Sequence, residues 1–242
     1  MRDRIFGLRP VLEAIEAGKT IDKLMVQTGL QGELYYELLD KAKAYGIPIQ
    51  QVPLQKLNRL TGKNHQGVFA FISPIDFYQI ENVLPRIYEE GKNPLILILD
   101  RVSDVRNFGA IARTAECAGV DTIIIPEKGS ASVNEDAIKT SAGALYQIPV
   151  CKVKSLKETI KFLQLSGISV TCASEKTGNT YYEMDFSKPT AIVMGSEDNG
   201  VSTDLIRISD NLAKLPMFGE IGSLNVSVAC GAFLYEVIRQ RM

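Results

Sequence analysis

Short apolar runs alternate with helical stretches from Leu95 onward. Five runs, LILILD, TIIIP, IPVCKV, ISVTCA and AIVMG, begin at positions 95, 122, 148, 168 and 191. Because they are apolar at successive rather than alternate positions, they predict strands buried on both faces of a parallel sheet. Helical patterns lie near 109–118, 134–145, 155–165 and 224–240. The sequence therefore predicts an α/β domain with helices on both faces of its sheet.

The first 76 residues predict a smaller α/β unit. Leu8, Val11, Leu12 and Ile15 fall at helical spacing, and Gly18 can end that helix. A second helix is predicted from about 33 to 45, and strands are predicted at 24–27, 47–52 and 67–72. We therefore expect an N-terminal domain over 1–76, a linker over 77–93 with a short helix near 80–90, and a second domain over 94–242.

Composition sets limits on the class of protein. The chain has 242 residues, of which 45% are apolar and 23% charged, as in ordinary soluble globular proteins. No apolar run approaches the roughly 20 residues that span a bilayer. The start, MRDRIFGLRP, lacks the apolar core of a signal peptide, so the expected location is the cytoplasm, with no membrane partner.

Charge, cysteines and the single histidine add three further expectations. The net charge of −1 does not by itself support nucleic-acid binding, although residues 1–76 hold 10 Lys/Arg against 8 Asp/Glu. The four cysteines form no CxxC pair and lie in apolar stretches, which indicates reduced core thiols. With His65 as the only histidine, neither a zinc site nor a histidine-based hydrolase is expected, and we predict no metal.

Residues 100–120, DRVSDVRNFGAIARTAECAGV, form the first of three segments with unusual chemistry. A strand ends at Asp100, and Asn107 stands where a helix N-cap would be. The helix after it is rich in Gly and Ala, so another part of the chain can pack close to its backbone. Arg113 lies one turn beyond Gly109. A capped helix with an ordinary surface arginine would show the same pattern.

The second segment, MGSEDNGVS at 194–202, follows a buried strand. Gly195 and Gly200 match the spacing GxxxxG, but Val201 stands where a phosphate loop needs lysine. The acidic residues Glu197 and Asp198 would also repel phosphate. The loop therefore favours a cationic or hydroxyl-rich ligand.

The third segment covers 215–241, LPMFGEIGSLNVSVACGAFLYEVIRQR. Ser223 is a candidate cap for the last helix, and Asn225 and Ser227 are polar residues at an otherwise apolar helix start. The simpler interpretation is that Ser223 caps the helix and Asn225 is a solvated residue of its first turn.

Taken in order, NxGAIxRTAxxxG, MGxExxGVS and LPMxGxxxSLNVSVAxGxxLYE closely resemble the three motifs of the SpoU/TrmH family of RNA ribose methyltransferases. The resemblance covers roughly 95–241. FGLRPVLEAI and NHQGVFA in the first 76 residues are similar to the small, ribosomal-protein-like substrate-binding domain of the 23S rRNA guanosine methyltransferase subgroup.

The resemblance implies a parallel α/β SPOUT domain with a deep trefoil knot, a homodimer formed through that domain, and S-adenosylmethionine as cofactor. It also implies two sets of site residues. The cofactor pocket would be lined by Gly195, Leu215, Met217, Ser223 and Leu224. The catalytic positions would be Asn107, Arg113, Glu197 and Asn225. This chain has Val105-Arg106 before Asn107, where many members have a proline.

The implied reaction is in-line attack of a ribose 2′-oxygen on the sulfonium methyl group. Because a free guanidinium has a pKa above about 12, we expect Arg113 to grip a phosphate and stabilise the developing alkoxide rather than act as a base. Asn107 and Glu197 would orient Arg113 or the substrate.

The expected substrate is a guanosine of 23S rRNA. Three alternatives stay open: a tRNA substrate, a non-catalytic RNA-binding or ribosome-assembly protein, and a small-molecule methyltransferase. In the first domain, His65 is either an RNA contact or a turn residue before Gly67. The candidate RNA contacts there are Arg2, Arg4, Arg9, Lys63, Asn64 and His65.

Overall fold

The structure, a computed structural model, describes residues 4–242 and divides the chain into two compact units. The first unit comprises the residues up to Asp76 together with Val133–Glu135. The second unit comprises Phe77–Ser132 and Asp136–Met242. Arg2, a candidate RNA contact, lies outside the described residues.

The first unit is a mixed four-stranded sheet with three helices. Its elements are β1 (Arg4–Phe6), α1 (Leu8–Glu16), β2 (Ile21–Gln27), α2 (Glu33–Ala44), β3 (Ile49–Val52), α3 (Leu54–Asn58) and β4 (Val68–Ile72). The strand order is β1-β4-β2-β3, with β4 antiparallel to both neighbours and β2 parallel to β3. The predicted helices and strands are confirmed. Sequence reasoning missed the three-residue β1 and the five-residue α3.

Both faces of this sheet are covered by apolar side chains. Val11 and Ile15 of α1 and Leu38 of α2 pack with Leu24 and Val68 on one face. On the other face Leu57 of α3 packs with Met25, Val52 and Phe69. A sheet covered on both faces explains why β2 and β4 have apolar residues at successive positions.

The second unit is a seven-stranded parallel sheet with helices. Its strands are β5 (Phe77–Tyr78), β6 (Leu95–Leu99), β7 (Thr122–Pro126), β8 (Val150–Val153), β9 (Ser169–Ala173), β10 (Thr190–Met194) and β11 (Asn211–Ala213). Its α-helices are α4 (Ile80–Glu89), α5 (Val105–Cys117), α6 (Glu135–Thr140, of which only Glu135 is grouped with the first unit), α7 (Leu156–Leu165), α8 (Thr203–Ile208) and α9 (Val226–Arg241).

Every pairing in this sheet is parallel, in the order β11-β9-β10-β6-β7-β8-β5. The central strands β6 and β10 are buried along their whole length, as five consecutive apolar residues in β6 and four after Thr190 in β10 predict. All five predicted strands are confirmed. The short strand β5 and the short helix α8 were not expected. The deep trefoil knot implied by the family resemblance stays a prediction.

The segment 77–93 is not the linker that the sequence suggested. β5 pairs with β8, and α4 buries Ile80, Val83, Leu84 and Ile87 in the core of the parallel sheet. The amphipathic pattern that marked a short helix thus also marks a face that packs on the sheet.

The helix predicted over 134–145 is interrupted. α6 ends at Thr140, and a single 3-10 turn follows at Ala144–Tyr146. Ala142 and Gly143 between them take φ values of 51° and 88°, which a right-handed helix cannot contain. In the part of the chain that is described, no helix is long and apolar enough to cross a membrane.

Candidate active site

A pocket of about 630 Å³ opens at the carboxyl ends of β9, β10 and β11. Its volume is typical of sites for small molecules. In open parallel sheets ligands bind beyond the carboxyl ends of the strands, where the strand order reverses, and β10 and β6 lie at that reversal. The lining consists of residues 173–176, 194–201, 213–215, 217, 222–224, 226, 229 and 233.

Residues 195–201 form one wall of the pocket, here called the 195–201 loop. Its two ends almost touch: a Cβ on Gly195 would lie 2.0 Å from the carbonyl carbon of Gly200 and 2.1 Å from the nitrogen of Val201. The Gly200 N–H donates to the Ser196 carbonyl at 2.8 Å and closes the turn. Because no side chain fits at position 195, only glycine allows this loop.

The opposite wall comes from the segment after β11 and the start of α9. Leu215, Met217, Ser223 and Leu224 all line the pocket, as does Gly195. The structure thus brings the five residues predicted to hold the cofactor around one cavity. Met217 and Leu224 are 38% and 46% exposed, so their apolar surface is available to a ligand.

Asn225, not Ser223, caps the last helix. α9 begins at Val226, and the Asn225 Oδ1 accepts from the Ser227 N–H at 2.9 Å and from the Ser227 hydroxyl at 2.5 Å. The expected Ser223 cap is therefore wrong. Ser223 precedes the cap by two residues and lies on the pocket wall instead.

The side-chain amide of Asn225 joins two other predicted catalytic residues. It donates to the Asn107 Oδ1 at 3.1 Å and to the Glu197 Oε1 at 2.6 Å. These contacts bring together residues from α5, the 195–201 loop and α9. Since an amide has two N–H bonds, both donors of Asn225 are used and its orientation is fixed.

Asn107 lies in the first turn of α5 and does not cap it. The cap is Asp104, whose Oδ1 accepts from the Asn107 N–H at 2.8 Å. α5 starts two residues before Asn107, at Val105. The Asn107 side chain, which a cap would use locally, is therefore available to Asn225.

Arg113 is not part of this hydrogen-bonded group. It is exposed on α5 and does not line the pocket. Within residues 4–242 no hydrogen bond or ion pair is made by its guanidinium. Three of the four predicted catalytic residues are thus joined by hydrogen bonds, and the fourth is a charged group open to solvent.

Sequence reasoning missed the wall formed by residues 173–176, together with Lys214. Ala173 ends β9, residues 174–176 follow it, and Lys214 directly follows β11. The signal was present in the sequence, because the residues after each buried run of a parallel sheet share one edge. Elsewhere in the described chain, no three His, Cys, Asp or Glu side chains group as a metal site would require.

In the first unit His65 is a turn residue. It is only 6% exposed, and its Nδ1 accepts from the Gly67 N–H at 3.0 Å. Its Nε2 lies 2.8 Å from the Asn58 Oδ1. With both ring nitrogens used inside the protein, His65 holds the turn before β4. Lys63, Asn64 and Arg9 are exposed, whereas Arg4 is partly buried with its guanidinium 5.9 Å from the Phe71 ring centre.

A pocket at the carboxyl edge of a parallel sheet places the second unit among the α/β ligand-binding folds. Two family models then match the chain. The SpoU rRNA Methylase family matches residues 94–235, and the family described as RNA 2′-O ribose methyltransferase substrate binding matches residues 4–78. The chain belongs to the SpoU family of RNA methyltransferases, and the resemblance noted in its three motifs is confirmed.

Individual relatives agree with this family. A protein of Staphylococcus saprophyticus assigned to the TrmH family of tRNA/rRNA methyltransferases is 36% identical over 98% of this chain and 95% of its own length. The crystal structure of an AdoMet-bound rRNA methyltransferase from Sinorhizobium meliloti matches with a TM-score of 0.64 and 25% identity, over 99% of this chain and 87% of that one. A TrmH/SpoU tRNA modifying enzyme from A. aeolicus matches with a TM-score of 0.57 and 32% identity, over 67% of this chain and 84% of that one.

Proposed function

We propose that this chain transfers the methyl group of S-adenosylmethionine to a ribose 2′-hydroxyl in RNA. One observation carries the proposal: the hydrogen-bonded group of Asn107, Asn225 and Glu197 stands beside a pocket of small-molecule size. Such a group has the hydrogen-bonding capacity to orient a hydroxyl. Membership of the RNA methyltransferase family supports the reaction class.

S-adenosylmethionine is the cofactor that these residues fit. Its adenosyl part needs apolar contact, which Leu215 and Leu224 offer. Its sulfonium and ammonium groups are cationic, and Glu197 lies in the wall. Its carboxylate needs a cation, and Lys214 lies in the same lining. We assign binding of the cofactor to Gly195, Leu215, Met217, Ser223 and Leu224.

The proposed chemistry assigns a role to each of these residues. When bound, S-adenosylmethionine supplies an electrophilic methyl group. Held by Leu215, Met217 and Leu224, it would present this methyl group to a ribose 2′-hydroxyl, and the products would be the 2′-O-methyl ribose, S-adenosylhomocysteine and a proton released to water. Asn107 and Glu197, held by Asn225, orient the ribose. Arg113 contributes by gripping the adjacent phosphate with its planar fork and stabilising charge on the attacking oxygen.

A comparison of Arg113→Lys with Arg113→Ala tests this role of Arg113. Lysine keeps the charge but loses the two-pronged contact, so the turnover of both variants should be about 100-fold or more below that of the wild type. Arg106→Lys, a neighbouring exposed arginine on α5, is the matched control. Near-normal turnover by Arg113→Lys would exclude a role that depends on the fork.

We further propose that two copies of the chain associate through the pocket rim. Four apolar side chains between positions 218 and 228 are strongly exposed: Phe218 (95%), Ile221 (80%), Val228 (56%) and Leu224 (46%). Exposed apolar residues that cluster on a surface mark an interface. Because Leu224 lines the pocket and the other three are close to pocket-lining residues in the chain, we take their occupant to be a second copy that also shields the site. In analytical ultracentrifugation the wild type should have the mass of a dimer, and Ile221→Lys should shift that mass toward the monomer. A wild type that sediments as a monomer would exclude the dimer.

As the substrate we propose a guanosine of 23S rRNA. The match to the rRNA methyltransferase extends over 99% of this chain and includes the first unit, whereas the match to the tRNA modifying enzyme covers 67%. The first unit also matches a substrate-binding family. tRNA is the second candidate, because the Staphylococcus relative carries both substrates in its name.

The deciding experiment is methyl transfer from labelled S-adenosylmethionine to total RNA that lacks ribose methylation, with mass spectrometry of the product. A 2′-O-methylguanosine in large-subunit rRNA would support both reaction and substrate. A methylated tRNA would support the reaction and overturn the rRNA assignment. Cofactor binding without transfer to either free RNA would direct the same assay to ribosomal precursor particles. Absence of cofactor binding would overturn the proposal.

A further inference from the structure

A buried carboxylate holds the far end of the 195–201 loop. Asp100 directly follows β6 and is only 5% exposed. Its Oδ2 accepts from the Ser202 N–H at 2.7 Å, immediately after the loop. β6 and β10 are neighbours in the sheet, so the residue after one strand lies beside the loop after the other.

Arg101 completes this attachment. Its Nε and Nη2 each donate to an oxygen of Asp100 at 3.2 Å, and Nη2 also donates to the Gly200 carbonyl at 3.1 Å. One guanidinium therefore bridges the carboxylate and the loop backbone. A planar group with donors on two sides is suited to such a bridge, and a lysine ammonium is not.

The backbone of Arg101 has an unfavourable conformation. Its φ is 60°, in the left-handed region that residues with a Cβ rarely adopt. Glycine would adopt it without strain. An arginine at this position therefore needs a compensating interaction, and the contacts with Asp100 and Gly200 provide one. Such strain is typically retained at sites where it serves function.

We infer that Arg101 is a positioning residue that fixes the 195–201 loop and thereby sets the affinity of the pocket for its ligand. Every residue of that loop lines the pocket, and the loop carries Glu197 to Asn225. A loop held only at β10 would sample conformations in which neither the wall nor Glu197 is in place. The identity of the ligand, S-adenosylmethionine, rests on the proposed function; the role of Arg101 in ordering the loop does not.

Two variants separate positioning from folding. Arg101→Gly removes the guanidinium and also relieves the positive φ, so losses and gains in stability oppose each other and the melting temperature should change little. Arg101→Lys keeps the charge and the strain but cannot bridge both acceptors. Arg86→Ala, an exposed arginine on α4, is the control.

The first measurement is amide hydrogen exchange across 195–205 in the ligand-free protein. We expect exchange at Gly200 and Ser202 to be about tenfold faster in Arg101→Gly than in the wild type. Both amides donate hydrogen bonds that persist only while the loop is attached, so they are protected in the wild type. In Arg86→Ala the exchange at both amides should be unchanged. Equal exchange in Arg101→Gly and the wild type would overturn the inference, whatever the chain catalyses.

The second measurement is S-adenosylmethionine binding by calorimetry. Arg101→Gly should bind about tenfold more weakly, with Arg101→Lys between it and the wild type, and the KM for the cofactor should rise more than kcat falls. A loosened loop with unaltered affinity would overturn the link between loop and pocket. If the wild type itself binds no S-adenosylmethionine, the proposed function fails, and the exchange data alone decide the role of Arg101.

Discussion

Asn225 combines two roles in one side chain. Its oxygen caps α9, and its nitrogen joins Asn107 and Glu197. A helix cap is normally exchangeable among Ser, Thr, Asp and Asn, which all supply an oxygen. Only asparagine among these also offers an amide with two donors. The site therefore restricts a position that the helix alone would leave variable.

Asn225→Asp should separate the two roles. Aspartate keeps the cap, so the free energy of unfolding should change by less than about 1 kcal/mol. Its second oxygen would face Glu197, whose Oε1 lies 2.6 Å from the present nitrogen, and repulsion would displace that carboxylate. We expect methyl transfer to fall by about 100-fold or more. Asn225→Ala, which loses cap and donors together, should lose activity and about 1 kcal/mol of stability. Normal turnover by Asn225→Asp would contradict the assignment.

The cysteines differ in their surroundings, and Cys117 corrects the expectation of four core thiols because it is exposed. Burial raises the pKa of Cys151 and Cys172 to about 11 and that of Cys230 to about 12. An unfolded thiol has a pKa near 8.5. Above that pH the unfolded chain releases protons that the folded protein retains, so these thiols make unfolding more favourable as pH rises.

This linkage gives a test with urea titrations between pH 9 and 11. Cys230→Ala should flatten the loss of stability with pH by up to about 1.4 kcal/mol per pH unit, the limit for one proton. Cys117→Ala, which removes an exposed thiol in place of a buried one, is the matched control. Equal slopes for the two variants would show that Cys230 ionises in the folded protein.

At the scale of elements, α5 depends on a glycine for its close approach to α6. A Cβ on Gly109 would lie 2.7 Å from the Thr140 Cβ and 2.9 Å from the Ala137 carbonyl oxygen. The Gly/Ala-rich sequence of α5 predicted close packing but could not name the neighbour, which is 28 or more residues away in the chain.

Gly109→Ala should therefore destabilise the protein by about 1–3 kcal/mol in chemical denaturation. The control is Gly231→Ala in α9, where the new Cβ would meet only the Thr114 Cγ2, at 3.5 Å, an ordinary contact. There the better helix propensity of alanine should add up to about 1 kcal/mol. The two substitutions are chemically identical and both fall inside helices. If both changed the free energy of unfolding in the same direction, the packing argument would be contradicted.

The length of an element determines whether its sequence pattern can predict it. The long buried strands were predictable because burial on both faces requires consecutive apolar residues. β5, β11 and α8 have two to six residues, too few to show a period, and their pairing is fixed by the sheet around them. The caps of α5 and α9 were predicted at the wrong residue because each helix start has two polar candidates close together. These are Asp104 and Asn107 for α5, and Ser223 and Asn225 for α9, and only the backbone conformation distinguishes the cap from the other candidate.

At the scale of the whole chain, the site residues were predictable as a set through motifs, but their arrangement was not. Asn107 and Asn225 are separated by 118 positions, and no local pattern states that they bond. Arg101 was missed for a related reason: its role depends on a left-handed backbone and on Gly200, 99 positions later. Contacts between strand-end loops follow from the strand order, which short sequence patterns do not encode.

The end of α9 is tied to distant parts of the second unit by Arg241. Its guanidinium donates to four backbone carbonyls, those of Asn93, Pro94, Phe186 and Lys188, at 2.7–3.1 Å. These carbonyls precede β6 and β10, the central strands of the sheet. The side chain is partly desolvated, which lowers the pKa of Arg241 from its ordinary value. One residue thus connects the last helix to the amino-terminal ends of both strands.

Arg241→Ala would leave these carbonyls without their charged donor, and each charge-assisted bond contributes about 1.5 kcal/mol or more. Allowing for water that reaches the exposed ones, we expect a loss of about 2–4 kcal/mol in the free energy of unfolding. Arg241→Lys should recover part of it, since an ammonium can reach only some of the four acceptors. Arg207→Ala, an exposed arginine at the end of α8, should cost less than about 0.5 kcal/mol. If Arg241→Ala unfolded at the same urea concentration as Arg207→Ala, α9 would be held by its apolar face alone, and the contacts of Arg241 would carry no net stability.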